Sequence, residues 1–368
     1  MSQHMTRKVF FWISGTTLLI GMPLLGVWLA GRPLAPYLEI PPRTQNAVHA
    51  AFSWPAFCGL AAFIILVMGL FLVRILTTSP STRVRTEGVR RFPWWGWLAL
   101  CSGTVAWVLA WTRFPWFSAF QPFTFTPLWL SYIAVMNALA VKRTGRSPLT
   151  HDTWRYLALF PMSAVFWWFF EYLNRFVQNW HYLGVEHLSA EAYVCRAMLP
   201  FATVLPAFVA TRAWLAGYPR LTAGLTGWLT PVIRQPRRFA ALILTLAAGS
   251  LAGIGLWPDI LFPMVWLAPL MVIASLRALN GQSTLLSDPG RGDWRRIVQA
   301  ATAALVCGFF WEMWNLPSLE KWIYTVPYVG RFHIFEMPVL GYAGYLPFGI
   351  ECALIAEWVG LTGEEESP

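Results

Sequence analysis

The sequence predicts an all-α polytopic membrane protein, and three observations lead to this fold class. The chain of 368 residues is 57% hydrophobic and only 12% charged, whereas about 25% of the residues of a soluble domain are charged. Its apolar residues form runs that approach the roughly 20 residues needed to cross a bilayer. Its basic residues collect in alternate loops between these runs, which is the distribution that the positive-inside rule describes.

The apolar runs predict about ten transmembrane helices. Arg7 and Lys8 precede the first run, but no convincing cleavage site follows it, so we expect a retained helix and not a signal peptide. The runs at 126–141 and 260–276 are short. The predicted spans cover residues 9–30, 53–77, 93–112, 126–141, 156–172, 192–211, 239–256, 260–276, 297–313 and 339–360.

The position of the charges predicts the orientation of these spans. The net charge is +10. Most of the basic residues lie in the even-numbered loops, such as the loop after the second span with Arg83, Arg85, Arg90 and Arg91. An even number of spans with basic even-numbered loops places both termini in the cytoplasm, and we expect a bacterial cytoplasmic membrane. The basic excess is therefore explained by topology, and nucleic acid is not expected as a partner.

An N-terminal part and a short tail enclose the main membrane region. Residues 1–92 are predicted to form a two-helix hairpin followed by a basic, polar loop that marks a boundary. Residues 361–368 form an acidic tail. The region between them contains two predicted membrane repeats, 93–215 and 238–360.

The two repeats are recognised by landmarks that occur in the same order. TWRYL, FWWFFEYLN and Trp180-His-Tyr in the first correspond to DWRRI, GFFWEMWN and Trp322-Ile-Tyr in the second. Each repeat holds four predicted spans, and a shift by an even number of spans preserves orientation. We therefore predict parallel four-helix repeats that face each other across a shared site.

Each repeat carries a carboxylate in an E-x-x-N motif at the end of a span. The motifs are Glu171 with Asn174, and Glu312 with Asn315. On a helix, residues three apart lie on one face, and an ionisable group within a membrane span suggests function. Two alternatives remain open: an interfacial Glu that is solvated or paired with Arg175, and a structural role between the repeats.

The last predicted span contains a further carboxyl group, which we expect to be buried. Gly341, Gly344, Pro347 and Gly349 predict an unwound or kinked stretch before Glu351. A carboxyl group among apolar residues tends to be neutral, as a proton donor must be. Glu351 is therefore a candidate catalytic acid, and packing through a hydrogen bond to a neighbouring helix is the alternative.

Just before this span, His333 and Glu336 have the spacing of residues on one helical face. Glu336 is a candidate catalytic carboxylate, and His333 is a candidate substrate ligand. The pair also resembles a metal-ligand spacing, but we expect no metal, because such pairs are common by chance.

The five Cys residues are expected to be small buried side chains, and no nucleotide-binding or zinc-protease motif is present.

The stretch EMPVLGYAGYLPFG, from Glu336 to Gly349, resembles a pattern of integral-membrane carotenoid hydratases. In that pattern a Glu precedes Gly-rich residues and Pro-Phe-Gly; there Tyr follows, whereas here Ile350 follows. Membrane lycopene cyclases are similar in a looser way, since their duplicated helices bear a Glu among aromatic residues. The resemblance implies a polyene substrate that enters from the bilayer, and no cofactor.

The function predicted from these features is acid–base catalysis on a lipid-soluble substrate, such as an isoprenoid or carotenoid, in an aromatic-lined cavity. A transporter of lipid or small molecules is one alternative. The other alternative is a Trp-rich, non-catalytic subunit of a membrane assembly that binds lipid or pigment. Such a subunit would associate with partner membrane subunits or with further copies of itself. The candidate catalytic residues are Glu312, Glu336, Glu351 and Glu171, and the candidate substrate-binding residues are Asn174, Asn315, Trp311, Trp314, Trp168 and His333.

Overall fold

Helices dominate the computed structural model, which describes residues 13–79 and 90–361. The predictions for Arg7 and Lys8, for much of the basic loop and for most of the acidic tail lie outside these residues. Within them, seven helices are long and apolar enough to cross a membrane. A mostly helical fold with helices of the membrane-spanning type is therefore confirmed.

The helices follow the predicted spans closely. The described part of the span predicted at 9–30 and the spans predicted at 93–112 and 260–276 are helical too, but they are not among the seven. The helix predicted at 192–211 is divided at Thr203, because Pro206 has no N–H to continue the hydrogen-bond ladder. The main helices are α1 (Ile13–Leu29), α2 (Trp54–Thr77), α3 (Trp94–Trp111), α4 (Phe125–Thr144), α5 (Thr153–Val177), α6 (Ala190–Ala202), α7 (Val204–Ala216), α8 (Pro236–Leu256), α9 (Met264–Leu279), α10 (Arg295–Asn315) and α11 (Tyr345–Trp358).

Short strands lie between the helices of residues 93–215 and of residues 238–360, which are called the two halves below. The strands are β1 (Trp180–Leu183), β2 (Lys321–Tyr324), β3 (His333–Ile334) and β4 (Met337–Pro338). β1 follows α5 and β2 follows α10, so both halves contain three helices, then a strand, then a further helical segment. The order of elements thus matches the order of the sequence landmarks.

β1 and β2 form an antiparallel ribbon that joins the two halves. Four residue pairs form the ribbon: Trp180 with Tyr324, His181 with Ile323, Tyr182 with Trp322, and Leu183 with Lys321. The pairing is symmetric, since the Trp of each strand lies opposite the Tyr of the other. An antiparallel pair in this register has a local twofold axis that passes between His181 and Ile323.

Helix α7 occupies the centre of the bundle, where it packs against α4, α5, α10 and α11. Around it, α3 packs on α4, α10 packs on α11, and α8 packs on both α9 and α1. The approach of α1 to α8 requires glycine, because a Cβ at Gly26 would lie 1.8 Å from the carbonyl oxygen of Ala252. Small residues allow such close contacts between membrane helices.

Helix α2 stands at the edge of the bundle and buries none of its residues. It is held near its ends: the N–H of Ser53 donates to the carbonyl of Tyr328 (2.9 Å), and Arg74 donates to the carbonyl of Gly224 (2.9 Å). Apolar side chains cover its free surface, including Ile65 and Leu66, which are about 70% exposed. Such a surface suits contact with lipid.

The expectation that the Cys residues are buried is wrong for three of the five. Cys58, Cys101 and Cys195 are exposed, whereas Cys307 and Cys352 are buried. A lipid-facing position is as apolar as a core position, so composition alone cannot separate the two.

The last span begins as the glycine and proline pattern predicts. Residues Val339–Gly344 form a 3-10 helix, and the α-helix starts only at Tyr345. Near the end of α11, Glu357 forms ion pairs with Arg277 (2.8 Å) and Arg296 (2.6 Å). These pairs fix the end of α11 against α9 and α10, opposite the ribbon end of the helix.

Candidate functional site

Glu171 is buried below the ribbon and is held by three hydrogen-bond donors. Its Oε1 accepts from Trp167 Nε1 (3.0 Å), Trp180 Nε1 (3.1 Å) and Tyr182 Oη (2.6 Å). Trp167 precedes it by one helical turn in α5, whereas the other two belong to β1. The alternative of pairing with Arg175 does not apply, because the guanidinium of Arg175 donates to the backbone carbonyl of Glu39.

Glu312 has the corresponding place in the second half. Its Oε1 accepts from Tyr324 Oη (2.8 Å) and Tyr345 Oη (2.7 Å), and Trp322 Nε1 donates to Tyr324 Oη (2.9 Å). Its Oε2 is buried without a partner. Tyr345 reaches the carboxyl group by packing on the bare backbone of Gly308, where a Cβ would lie 2.4 Å from the ring.

The asparagine of each motif fixes the strand of its own half. The side chain of Asn174 donates to the carbonyl of Trp180 (2.7 Å) and accepts from the N–H of Asn179 (2.8 Å). Asn315 donates to the carbonyl of Trp322 (2.7 Å) and accepts from its N–H (2.9 Å). The E-x-x-N motif thus positions both the carboxylate and the strand whose side chains bond to it. These amides, predicted to bind substrate, are bonded to backbone groups in the structure, and neither asparagine is among the residues that line the cavity described below.

A cavity of about 930 Å³ lies between the two halves, under the ribbon. Helix α2 closes one side with Leu60, Phe63, Ile64, Val67 and Met68, which share one face of the helix. Most other lining groups are aliphatic or aromatic. The aromatic and phenolic ones include Phe125, Trp167, Trp180, Tyr182, Tyr193, Phe201, Trp266, Trp311, Trp322, Tyr324 and Tyr345.

The rings that bond to the carboxylates are also the rings that line the cavity. Tyr182 stands between Glu171 and the cavity, and Tyr324 and Tyr345 stand between Glu312 and the cavity. Among the described residues, neither glutamate contributes to the lining itself. Each carboxyl group therefore reaches the cavity through a hydroxyl or an indole N–H.

The ribbon tyrosines remain protonated under ordinary conditions. Burial raises the pKa of the Tyr182 and Tyr324 hydroxyls well above the usual value, and the nearby carboxyl groups add to this effect. A neutral phenol donates its proton to a hydrogen bond, so both tyrosines are donors to the carboxylates. On the same ribbon, burial lowers the pKa of His181.

Glu351 is fully buried, and neither of its carboxyl oxygens has a hydrogen-bond partner. It lies six residues beyond Tyr345 on α11, about 9 Å further along the axis. It is not part of the cavity lining of the described chain. The alternative of a packing hydrogen bond is not observed either.

Glu336 and His333 lie on a small hairpin, and the expectation of a helical face is wrong. β3 and β4 pair antiparallel, with His333 opposite Pro338. His333 is exposed, and Glu336 forms an ion pair with Lys321. Phe332 and Phe335 have φ near +57° and +56°, a conformation that a helix cannot contain. The structure does not bring either residue to the cavity.

The three tryptophans predicted to bind substrate have different positions. Trp311 lines the cavity, stacked on Tyr345 with ring centres 5.8 Å apart. Trp314 is buried against Trp107 of α3 and Trp129 of α4, away from the lining. Trp168 packs on Phe201 and also lies outside the lining. Only Trp311 is placed to touch a ligand.

Sequence reasoning missed an ion pair in the cavity wall. Arg196 of α6 donates to the carboxylate of Glu320, which directly precedes β2. In the sequence, Arg196 is a single basic residue in an apolar run, and Glu320 belongs to no motif. No local pattern could identify the pair, because 124 residues separate its members.

A metal centre is not formed by the residues described. No three side chains of His, Cys, Asp or Glu come together within residues 13–79 and 90–361. Glu171 and Glu312 are held instead by aromatic hydrogen-bond donors. In comparisons with known proteins, no family model matches the chain, and no curated protein or solved structure resembles it significantly.

Proposed function

We propose that the protein is an integral membrane enzyme that performs acid–base chemistry on a lipid-soluble substrate. One observation carries this proposal: two buried carboxyl groups, Glu171 and Glu312, are linked by hydrogen bonds to rings that line one apolar cavity. Burying a carboxyl group is costly, and two such groups at one cavity suggest use in catalysis. The volume of about 930 Å³ suits a lipid-sized ligand.

The two carboxyl groups have different surroundings, which suggests different roles. Glu171 Oε1 has three donors, which suits an anion that accepts a proton or stabilises a cation. Glu312 has one oxygen without a partner, where a transferable proton can reside. We assign Glu312 as the acid and Glu171 as the base. To deliver its proton, the Glu312 hydroxyl turns to donate to the oxygen of Tyr324 or Tyr345, and that tyrosine gives its own hydroxyl proton to the substrate.

The reaction class that fits these groups is protonation of a carbon–carbon double bond, followed by loss of a different proton. The acid adds a proton to one alkene carbon, which leaves a carbocation on the other. The base then removes a proton from a neighbouring carbon, so a new double bond forms without any net change in composition. Faces of Trp and Tyr rings stabilise cations, and a dry cavity protects the cation from water.

The geometry of the cavity also suggests how the substrate arrives. Helix α2 lines one side of the cavity, buries none of its residues and is held near its ends. We place the bilayer against its outer, apolar face. A substrate that passes beside it would not cross water. We further propose that the two halves are parallel repeats related by an axis through the ribbon, with the ribbon on the outer side and both termini in the cytoplasm.

The test can be carried out before the substrate is identified. Membranes that contain the protein are incubated in D₂O with a lipid extract of the source cells, and the lipids are analysed by mass spectrometry. We expect one class of unsaturated apolar lipid to gain deuterium at carbon, because proton addition and loss at a double bond leave a stable C–D bond. If membranes with and without the protein give the same lipid spectrum, the proposal fails.

Non-catalytic binding of a lipid or pigment is the second candidate. It is favoured by one observation, namely that both carboxylates stand behind rings and outside the lining. A bound lipid that is recovered unchanged, without deuterium at carbon, would support this candidate. Transport of polar solutes is not favoured, because the lining is mainly apolar.

A further inference from the structure

We infer that the cavity holds a subsite for one uncharged polar end of its ligand, formed by Arg196 and Glu320. The ligand would then be an amphiphile with a long apolar chain and a terminal hydroxyl or similar group, and not a pure hydrocarbon. This inference deepens the proposed function, since it takes the cavity as the place where the substrate binds.

The first support is the isolation of this pair in the cavity wall. Among the described residues that line the cavity, Arg196 and Glu320 are the only charged ones. Their side chains are 28% and 16% exposed, so part of each can be reached. Arg196 also lies over the ring of Phe123, 5.0 Å from its centre, and this contact holds the guanidinium against the wall.

The second support is the cost of placing such a pair in an apolar wall. When an ion pair is removed from water, the cost of desolvation offsets much of its attraction. A protein with apolar residues in place of such a pair is often equally stable. A ligand that bonds to both partners recovers part of that loss. The pair is therefore better explained by recognition of a polar group than by stability alone.

The chemistry of the pair selects an uncharged group. A hydroxyl can donate to a free lone pair of the Glu320 carboxylate and accept from a free N–H of the Arg196 guanidinium. A carboxylate or phosphate would approach Arg196 but would be repelled by Glu320. An ammonium group would be attracted by Glu320 but repelled by Arg196. The pair as a whole is neutral, so a neutral head fits it best.

The position of the pair agrees with a ligand that extends along the ribbon. Glu320 precedes Lys321, which pairs with Leu183 at the end of the ribbon. Tyr324, a donor to Glu312, is four residues further on, and four extended residues span about 13 Å. A chain anchored at Glu320 can thus run beneath Trp322 and Tyr324 towards the acid.

The experiment measures binding and does not depend on turnover. Conjugated tetraene chains of equal length, ending in a hydroxyl, a carboxylate or a methyl group, are titrated into the purified full-length protein. Energy transfer from the tryptophans of the cavity wall to the tetraene reports binding. In the wild type we expect the hydroxyl probe to bind about tenfold more tightly than the methyl probe, the value of one good hydrogen bond to a charged group.

Single substitutions then test each partner. In Glu320→Gln the guanidinium of Arg196 loses its carboxylate partner, so the carboxylate probe should gain about tenfold and become the preferred one. In Arg196→Gln the probe hydroxyl loses the bond from the guanidinium but keeps the one to Glu320, so its preference over the methyl probe should fall, and the carboxylate probe should bind most weakly of the three. Thermal denaturation of each variant reports whether the pair also stabilises the link between α6 and β2.

The outcomes separate this inference from the proposed function. If the three probes bind equally to the wild type, or if the variants lose thermal stability while their probe preferences do not change, the subsite is overturned and the pair is structural. If none of the probes binds, the lipid cavity itself is in error and the proposed function fails with it.

Discussion

Glu312→Gln is expected to lower turnover about 10³-fold while the protein remains folded. General acid catalysis contributes about 10² to 10⁴ in rate, and Gln keeps the size and an acceptor oxygen for Tyr324 and Tyr345. What it loses is the transferable proton at Oε2, which has no partner in the structure. Deuterium incorporation into the substrate lipid in D₂O measures the loss.

A matched variant separates the loss of the acid from the loss of a charge. Glu186 is an exposed glutamate beyond β1, and Glu186→Gln should retain the wild-type rate. Tyr345→Phe removes the hydroxyl between Glu312 and the cavity and should give an intermediate rate, because Tyr324 still connects the two. If Glu312→Gln retains wild-type turnover, Glu312 is not the acid.

Asn174→Leu and Asn315→Leu are expected to be the most destabilising changes near the site. Leu is close to Asn in size. In Asn315→Leu it leaves the partly buried N–H and C=O of Trp322 without partners, and in Asn174→Leu it leaves the buried N–H of Asn179 and the N–H and C=O of Trp180 without partners. Each unpaired buried group costs about 1–3 kcal/mol. The midpoint of thermal denaturation in detergent should fall by about 10 °C.

Asn280 provides the control for this change. It is also an asparagine at a helix end, but its amide bonds only to the carbonyl of Leu276, and Asn280→Leu should lower the midpoint by no more than a few degrees. Asn315→Asp keeps the acceptor for the N–H of Trp322 and should be less harmful than Leu. Equal midpoints for all these variants would show that the ribbon does not depend on the asparagines.

The parts of the fold that depend on local pattern could be predicted from the sequence. The apolar runs predicted the helices, and the interruption at Gly341 and Gly344 predicted the 3-10 segment before α11. The repeated E-x-x-N motif identified Glu171 and Glu312, because spacing on a helix is a local property. The burial of all four motif residues agrees with a special role.

The features that depend on distant parts of the chain could not be predicted. The bonds from Tyr345 to Glu312 and from Arg196 to Glu320 join residues far apart in sequence. The segment around His333 was interpreted as a helical face from its spacing, but the positive φ of Phe332 and Phe335 produces a hairpin. The positions of the aromatic residues could not be predicted either, because a Trp side chain can contact lipid, pack in the core or line a cavity.

Mass spectrometry of lipid that is purified with the protein tests the central claim most directly. That claim is that an apolar cavity between the two halves holds a lipid next to Glu171 and Glu312. Ala343 lines the cavity, so Ala343→Trp fills part of it, whereas Leu246→Trp alters the exposed surface of α8 and serves as the control. We predict one enriched lipid, near equimolar with the protein, in the wild type and in Leu246→Trp, and its loss in Ala343→Trp. The same mixture of bulk membrane lipids from all three proteins would contradict the account.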